Sequence, residues 1–422
     1  MMTELSMGLN LQIHGRNSLQ IYWMIAMTNN LWASNSPQRF WLCHPDPPAY
    51  IWAEAIRQAI RILQFPDEVK DIDDVLEYSL GEAQFGSDHY KLGLATRLYY
   101  RVKPFFPRSW ISRIRRIYTH SKNGTFPLGW PAEARFAEFQ WEVLRRAMLL
   151  SEQKEISIIY FWPKGKRYAF VLTHDIETAK GQRLVPVLAD LEEELGFRSS
   201  FNFVPELYAL DLGLMQDLRN RGFEIGVHGL KHDGKLFDTY QQFTRRAERI
   251  NHYLHEFQAH GFRSPLTLRN PEWMQILEMD YDLSFFDTDP YEPMPGGVMS
   301  LWPFRIGHFI ELPYTLPQDS TLFKIRNETS PKLWLEKLEL IRKYHGMALV
   351  IVHPDYSAEG ANHLIYKDFL VEMKECKEYW HALPQEVAFW WKQRMDGNPN
   401  NGIGTLSMAH ARLIGDTLDI LY

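Results

Sequence analysis

Between residues 155 and 395, short apolar segments of strand length alternate with longer amphipathic segments of helical period. This alternation of β and α elements predicts a parallel sheet covered by helices. About seven strands within roughly 240 residues suit a barrel somewhat smaller than the eight-stranded one, and an open doubly wound sheet fits almost as well. The strand candidates are Ala169–Thr173, Ser200–Val204, Phe223–Val227, Gly261–Arg263, Leu283–Phe286, Phe309–Leu312 and Met347–Val352.

Three segments have a clear helical period. A stripe of apolar residues at spacings of four and three predicts a helix over Phe243–Phe257. A second helix is predicted over Lys332–Tyr344, with Gly346 as its C-terminal stop. A third is predicted over Pro131–Leu150, because proline suits the first turn of a helix and apolar residues recur after it.

The rest of the chain gives a weaker pattern. We predict a mainly helical N-terminal extension over residues 1–154, a main domain over 155–395 and a C-terminal tail over 396–422. Residues 1 to about 125 carry no chemical motif, which favours a role as a helical cap or an interaction region. The link over residues 287–308 is long and rich in proline and glycine, and such loops tend to carry function or disorder.

Composition narrows the class of partner. Lys and Arg number 46 against 52 Asp and Glu, a net charge of −6, so nothing favours nucleic acid. Neutral small molecules or sugars are the expected partners. No segment has the length and polarity of a transmembrane helix or the layout of a signal peptide, and there are only two cysteines, Cys43 and Cys376. We therefore expect a cytoplasmic protein.

Ionisable residues follow the apolar strands at four separate strand ends. In parallel β/α folds, such ends share one edge, where active sites gather. The concentration of these residues is the strongest signal that the residues themselves give. They are Asp175 and Glu177 after the first strand, His228 and His232 after the third, Arg263 after the fourth, and His353 after the last.

Each pair has a chemical interpretation and a plainer alternative. Asp175 and Glu177 are two residues apart, so an extended backbone points both to one side, where one carboxylate can neutralise a cation while the other takes a proton. Alone, such a pair more often caps a helix or faces solvent. His228 and His232 are four apart, which in a helical turn places both imidazoles within reach of one metal ion. A bare His-x-x-x-His is weak evidence in a chain with 16 histidines.

The other two residues suit supporting roles. His353 can protonate a leaving group, because its ordinary pKa lies near neutrality. It is equally expected that His353 is a structural histidine whose ring nitrogens are hydrogen-bonded in the core. Arg263 can pair with a carboxylate and hold it ionised, or form a surface salt bridge.

Taken in order, these strand-end motifs resemble the NodB-homology domain of the polysaccharide deacetylases, a carbohydrate esterase family 4-like domain. The resemblance covers about residues 155 to 395. Separately the motifs are weak, whereas four in the right order at strand ends form a specific signal. They are THDIE (173–177), HGLKH (228–232), FRSP (262–265) and IVH (351–353).

The resemblance implies a distorted seven-stranded (β/α) barrel that binds Zn²⁺ or another divalent transition metal. By position, Asp175 is then the general base, His228 and His232 are metal ligands, His353 is the general acid, and Arg263 pairs with the base. The family's usual metal-binding aspartate is replaced by Ile176, so Glu177 is expected to take that role, although Asp175 could itself bind the metal.

Three further features of the motifs affect the expected site. The residue after the first histidine is normally Ser or Thr and here is Gly229, which removes a hydroxyl that orients the loop. An acid that tunes His353 is expected, with Asp287 and Asp289 as candidates. The segment ELPYTLPQD (311–319) is expected either to form a pocket wall or to be a proline-fixed connector.

The function implied is hydrolysis of an N-acetyl or similar acyl amide on a carbohydrate. The oxyanion would be stabilised by the metal and by a backbone N–H near Leu266. Trp302, Tyr314 and Tyr356 are candidates for stacking on sugars, although buried aromatics are the commoner case. Two alternatives remain: a hydrolase of the same fold that opens a non-sugar C–N bond such as a cyclic amide, and a non-catalytic barrel that binds glycans or proteins.

Overall fold

Residues 30–87, 89–90, 126–397 and 405–422 are described by the structure, a computed structural model. Their strands are β1 (Cys43–His44), β2 (Glu155–Ile159), β3 (Tyr168–Ile176), β4 (Ser200–Phe203), β5 (Glu224–His228), β6 (Gly261–Arg263), β7 (Tyr281–Asp282), β8 (Phe304–Ile306), β9 (Phe309–Glu311), β10 (Met347–Val352), β11 (Tyr379–His381), β12 (Met408–Ile414) and β13 (Thr417–Leu421).

The α-helices in the same residues cover the larger sheet and form much of the described part of the N-terminal extension. They are α1 (Pro37–Trp41), α2 (Ala49–Ala59), α3 (Ile72–Ser79), α4 (Arg135–Leu150), α5 (Ala179–Leu195), α6 (Leu212–Asn220), α7 (Tyr240–Glu256), α8 (Lys332–Lys343), α9 (Pro354–Ser357), α10 (Gly360–Glu375) and α11 (Pro384–Met395). Among the described residues, no helix combines the length and apolar character needed to cross a lipid bilayer.

Seven parallel strands form the curled core of the main sheet, in the order β10-β3-β4-β5-β6-β7-β9. Strand β8 adds to β9 antiparallel, and β11 pairs parallel with β3. The sheet curls, because the backbone N–H groups of Thr315 and Leu316, just after β9, both donate to the carbonyl of Leu349 in β10. This confirms the predicted distorted seven-stranded (β/α) barrel with a mainly helical N-terminal extension, and not the open sheet.

The centre of the barrel is buried on both faces. Every residue of β3 and of β10 is buried, which explains why both read as continuous apolar segments. Behind β3, His174 is hydrogen-bonded to Glu192 of α5 at 2.6 Å, and the same carboxylate accepts from Ser199 and Tyr366. This buried polar cluster satisfies itself and fixes α5 on the sheet.

Most strand and helix predictions agree with the structure to within three residues at each end. The fifth strand is the exception: it pairs at Tyr281–Asp282, and the predicted segment Leu283–Phe286 contributes only an isolated bridge at Phe286. Helix α4 begins at Arg135 and not at Pro131, because the Glu133 carboxylate accepts from the N–H groups of Gly129 and Arg135 and holds a turn there.

A second, four-stranded antiparallel sheet has the order β1-β2-β12-β13. It joins the N-terminal extension (β1) to residues beyond the predicted boundary at 395 (β12 and β13). The extension also contacts the barrel through a fully buried ion pair between Glu82 and Arg269. The described parts of the extension and tail therefore pack on the barrel, and the predicted domain boundaries stay predictions.

Candidate metal centre and active site

The alternation of β3 places Asp175 and Glu177 on the same side of the strand as Thr173. Ile176 lies between them and is fully buried on the other side. Asp175 is paired in register with Asn202 of β4, whose amide donates to its Oδ1 at 3.0 Å. The geometry expected from the Asp-x-Glu spacing is therefore present at the carboxyl end of the strand.

Arg263 holds Asp175 from the far side of the barrel. Its side chain is fully buried, and Nη1 donates to Asp175 Oδ1 at 2.8 Å. Its other donors bind the Thr173 hydroxyl at 3.0 Å and the Leu283 carbonyl at 2.9 Å, so the guanidinium is fixed in place. Burial opposes ionisation of Asp175, but Arg263, together with His228, His353 and the hydrogen bond from Asn202, outweighs it and holds the pKa of Asp175 well below its ordinary value.

His228, His232 and Glu177 meet at the same rim. One ligand atom from each lies within 4.8 Å of the others, and His232 Nε2 lies 2.9 Å from Glu177 Oε1. The helical turn expected for the two histidines is wrong, because residues 229–233 form no helix. Instead the chain turns at Gly229, with φ of +61°, and brings the ring centroids to 5.4 Å.

The donor set fits a divalent transition metal. His228 Nδ1 lies 3.1 Å from the carbonyl of Arg263, so this nitrogen carries the proton and leaves the Nε2 lone pair available. Nε2 is buried and makes no hydrogen bond to any described residue. Burial lowers the pKa of His228 to about 4, which keeps the imidazole neutral. Two imidazoles and one carboxylate are a ligand set typical of catalytic sites that bind Zn²⁺ or a similar divalent transition metal.

His353 completes the rim and is tied to Asp319. The Asp319 carboxylate lies 2.7 Å from His353 Nδ1 and accepts from His353 N–H and from Ser357. Burial lowers the pKa of His353, but the carboxylates of Asp319, Glu177 and Asp175 outweigh it and raise the pKa to about 9. The free nitrogen, Nε2, lies 3.7 Å from Glu177 Oε1. A protonated imidazole thus faces the carboxylate.

Asp319 is the residue that the sequence patterns do not reveal. The prediction that Asp287 or Asp289 tunes His353 is wrong: Asp287 pairs with Lys337 at 2.7 Å, and Asp289 accepts from Tyr314 at 3.0 Å. Asp319 ends the segment 311–319, for which a pocket wall is one expectation. It lies just before the helical turn Thr321–Arg326, ahead of α8 and β10, where neither a strand end nor a sequence period marks it.

Of the three candidate aromatic residues, only Tyr356 lies at this rim. Its hydroxyl is 3.5 Å from Glu177 Oε2, its ring centroid is 5.1 Å from that of His353, and Lys324 lies over its ring. Trp302 and Tyr314 are 1% exposed, and the Trp302 indole donates to the carbonyl of His345 in the core. These two are buried aromatics, the commoner case.

Comparisons with known proteins gave matches among solved structures alone. No protein-family model matches the chain, and no match was found among curated proteins. Among solved structures, the chain is similar to a protein described as a candidate polysaccharide deacetylase from Mycobacterium smegmatis. The identity is 18%, the TM-score is 0.46, and the match covers 56% of this chain and 94% of the other.

Two further solved structures are similar over the same part of the chain. A probable polysaccharide deacetylase from Pseudomonas aeruginosa PAO1 has 13% identity and a TM-score of 0.45, covering 55% of this chain and 93% of its own. An allantoinase, Puue, has 14% identity and a TM-score of 0.44, covering 55% and 92%. The proteins similar in structure thus include polysaccharide deacetylases, the family that the four motifs resemble.

Proposed function

We propose that this chain is a metal-dependent hydrolase that removes an N-acetyl or similar acyl group from a carbohydrate. The observation that carries the proposal is the meeting of Glu177, His228 and His232 within 4.8 Å at one rim, flanked by Asp175 and His353. A site with two imidazoles, one carboxylate and further ionisable groups suits hydrolysis better than structural metal binding.

Glu177, His228 and His232 would hold the metal. A divalent transition metal supplies Lewis-acid chemistry when bound: it acidifies water and polarises a carbonyl group. The second contact of His228, to the Arg263 carbonyl, fixes its ring plane and tautomer for this role. We assign Glu177 and not Asp175 as the carboxylate ligand, because Asp175 is already bound by Arg263 and Asn202.

Asp175 is proposed as the general base. Its Oδ2 lies 3.9 Å from His228 Nε2 and makes neither of the hydrogen bonds that hold Oδ1. Arg263 keeps the carboxylate ionised, so Oδ2 can accept the proton of the attacking water. The low pKa makes Asp175 a weak base. This would be offset because water at the metal is more acidic than free water.

His353 is proposed as the general acid. Asp319 orients its ring through Nδ1 and favours the protonated form, so that Nε2 can give a proton to the departing amine nitrogen. Water adds to the acyl carbon, the C–N bond breaks, and the products are a carboxylate and an amine. A backbone N–H at Leu266, which has a left-handed φ of +61°, is proposed to face the acyl oxygen.

The test compares release of acetate from N-acetylglucosamine oligomers with opening of a cyclic amide, allantoin, by the zinc-loaded protein. We expect acetate release. We also expect Asp175→Asn to keep the metal while its turnover rate falls about a thousandfold. If only the ring substrate is cleaved, the cyclic-amide alternative replaces the proposal. Zinc content near zero in protein purified without chelator would favour the non-catalytic barrel.

We also propose a cytoplasmic location. Cys43 and Cys376 are both free thiols, and Cys43 is buried in the core. Unpaired thiols are usual in a reducing compartment. Localisation of the tagged full-length chain by cell fractionation tests this.

A further inference from the structure

Two carboxyl groups that take no part in the proposed reaction lie side by side in the core. Asp282 ends β7 and Glu311 ends β9, and the two residues are paired in register on neighbouring parallel strands. Both side chains are fully buried. Carboxylates almost never occupy such positions without a compensating charge or a proton.

The contacts of the pair account for only one oxygen of each group. Ser284 donates its hydroxyl to Asp282 Oδ1 at 2.7 Å, and the Phe285 N–H donates to Glu311 Oε1 at 3.2 Å. Asp282 Oδ2 and Glu311 Oε2 are buried and have no donor among the described residues. The two residues are direct neighbours in register, and two adjacent carboxyl groups can hydrogen-bond to each other only if one of them carries a proton.

Nearby charge does not remove the need for a proton. The cation that acts on the pair is Arg263 of β6, and its guanidinium is already bonded to Asp175. The remaining contacts, from residues 283–285, are neutral. Burial accordingly raises the pKa of both Asp282 and Glu311.

The pair is connected to the rim through one hydroxyl. Ser284, which donates to Asp282, accepts from the backbone N–H of Ser264 at 2.8 Å. Ser264 lies between Arg263, the partner of Asp175, and Pro265, which leaves no room for a side chain at Gly229. The state of the pair therefore bears on the segment that positions both the base and the metal ligands.

We propose that Asp282 and Glu311 share a proton and act together as positioning residues for the segment Arg263–Pro265. The pair goes beyond the proposed reaction, since neither group touches the reacting atoms. Because both folded pKa values are raised, the stability that the shared proton supplies is complete below the ordinary carboxyl range. It is lost as the pH rises through the folded pKa values.

Asp282→Asn tests this directly. The amide Oδ1 can still accept from Ser284, while Nδ2 donates permanently to Glu311 Oε2 and so replaces the shared proton. Thermal unfolding is measured between about pH 6 and about pH 9.5 for the wild type, Asp282→Asn, Asp282→Ala and the control Asp280→Asn, which changes an acid that is 45% exposed. We expect the wild-type midpoint to fall by about 5 °C more than that of Asp282→Asn.

We further expect Asp282→Ala to be destabilised at every pH and to lose about tenfold of its zinc affinity, with Asp282→Asn restoring both. Parallel pH curves for the wild type and Asp282→Asn would overturn the shared proton, as would an Asp282→Asn protein as unstable as Asp282→Ala. Unfolding and zinc binding need no substrate. If the wild type and Asp282→Asn differ in pH dependence as expected but no acetate is released, the result would count against the proposed function and not against the shared proton.

Discussion

Gly229 shows how one residue decides the form of the site. A Cβ at this position would lie 2.3 Å from Cδ and 2.4 Å from Cγ of Pro265, and φ is in the left-handed region at +61°. The serine or threonine expected from the family resemblance does not fit here. The orienting hydroxyl is absent because the turn packs directly on the proline of the FRSP motif.

Gly229→Ser is therefore expected to be harmful. The left-handed φ costs about 1–2 kcal/mol and the overlap with a rigid ring adds to it, so we expect a loss of roughly 3 kcal/mol of unfolding free energy. Gly415→Ser is the matched control, because Gly415 has φ of +60° and a Cβ there would have no atom within 4 Å. Denaturant unfolding measures both, and equal losses would show that Pro265 plays no part.

His228→Ala tests the metal centre at the same scale. Removing this imidazole takes away one of the three proposed ligands, so we expect zinc to fall from about one equivalent to below a tenth after dialysis. His252→Ala is the control, since that side chain is 69% exposed on α7 and is not part of the cluster of Glu177, His228 and His232. Unchanged zinc in His228→Ala, measured by elemental analysis, would count heavily against the site.

At the scale of elements, the N-terminal extension is bound to the barrel by the buried pair of Glu82 and Arg269. Arg269 Nε donates to Glu82 Oε2 at 2.6 Å, and the N–H of Gly297 donates to Oε1 at 2.8 Å. Burial opposes ionisation of Glu82, but Arg269 and His89 outweigh it and lower its pKa to about 2. Its contribution to stability is therefore present above the ordinary carboxyl range and is lost as the pH falls towards 2.

Glu82→Gln should accordingly be costly. It leaves the guanidinium of Arg269 buried without its counter-charge, and we expect a loss of about 3–5 kcal/mol in unfolding free energy at neutral pH. Glu54→Gln removes an exposed ion pair with Arg57 in the same extension and should cost far less, because solvent screens exposed pairs. Urea unfolding separates the two, and similar small losses would mean that the extension docks weakly.

Sequence patterns predict best the helices and strands whose burial follows one regular pattern from end to end. Strand β10 is apolar throughout because it is buried on both faces, and α7 repeats its apolar positions because one face packs on the sheet. Strand β7 has two paired residues, too few for a period, so the predicted position is wrong by two residues.

Some features of the candidate site could likewise be predicted from the sequence, and others could not. Strand-end positions follow from the chain order, and all six predicted site residues lie at one rim. Asp319 and the turn at Gly229 could not be predicted, because the contacts from Asp319 to His353 and from Gly229 to Pro265 join segments 34 to 36 residues apart and leave no periodic trace.

At the scale of the whole molecule, residues 408–421 complete the small sheet. Strand β12 pairs with β2 over five residues, and Ala409 and Ala411 are fully buried against it. Removing residues 405–422 exposes Ile156 and Ile158, which are otherwise buried. We expect the midpoint of thermal unfolding to drop by several degrees, about 5 °C or more.

A pair of substitutions checks the cause without deletion. Ala411→Asp buries an unpaired charge and should cost at least about 3 kcal/mol, whereas Ile414→Asp changes a side chain that is 54% exposed in the same strand and should cost little. Calorimetry measures both, and equal midpoints would show that the small sheet contributes nothing to the barrel.

The small sheet also constrains the order in which the chain can assemble. The seven strands from β3 to β10 that form the barrel's parallel order lie between residues 168 and 352, and β11 ends at residue 381, so a ribosome has already made them when β12 is still to come. Until then, the edge of β2 that β12 later covers is open to any other strand. Nascent chains therefore pass through a stage in which the residues of the candidate site are all synthesised while the edge of β2 is unprotected, and we expect chaperones to bind at that stage.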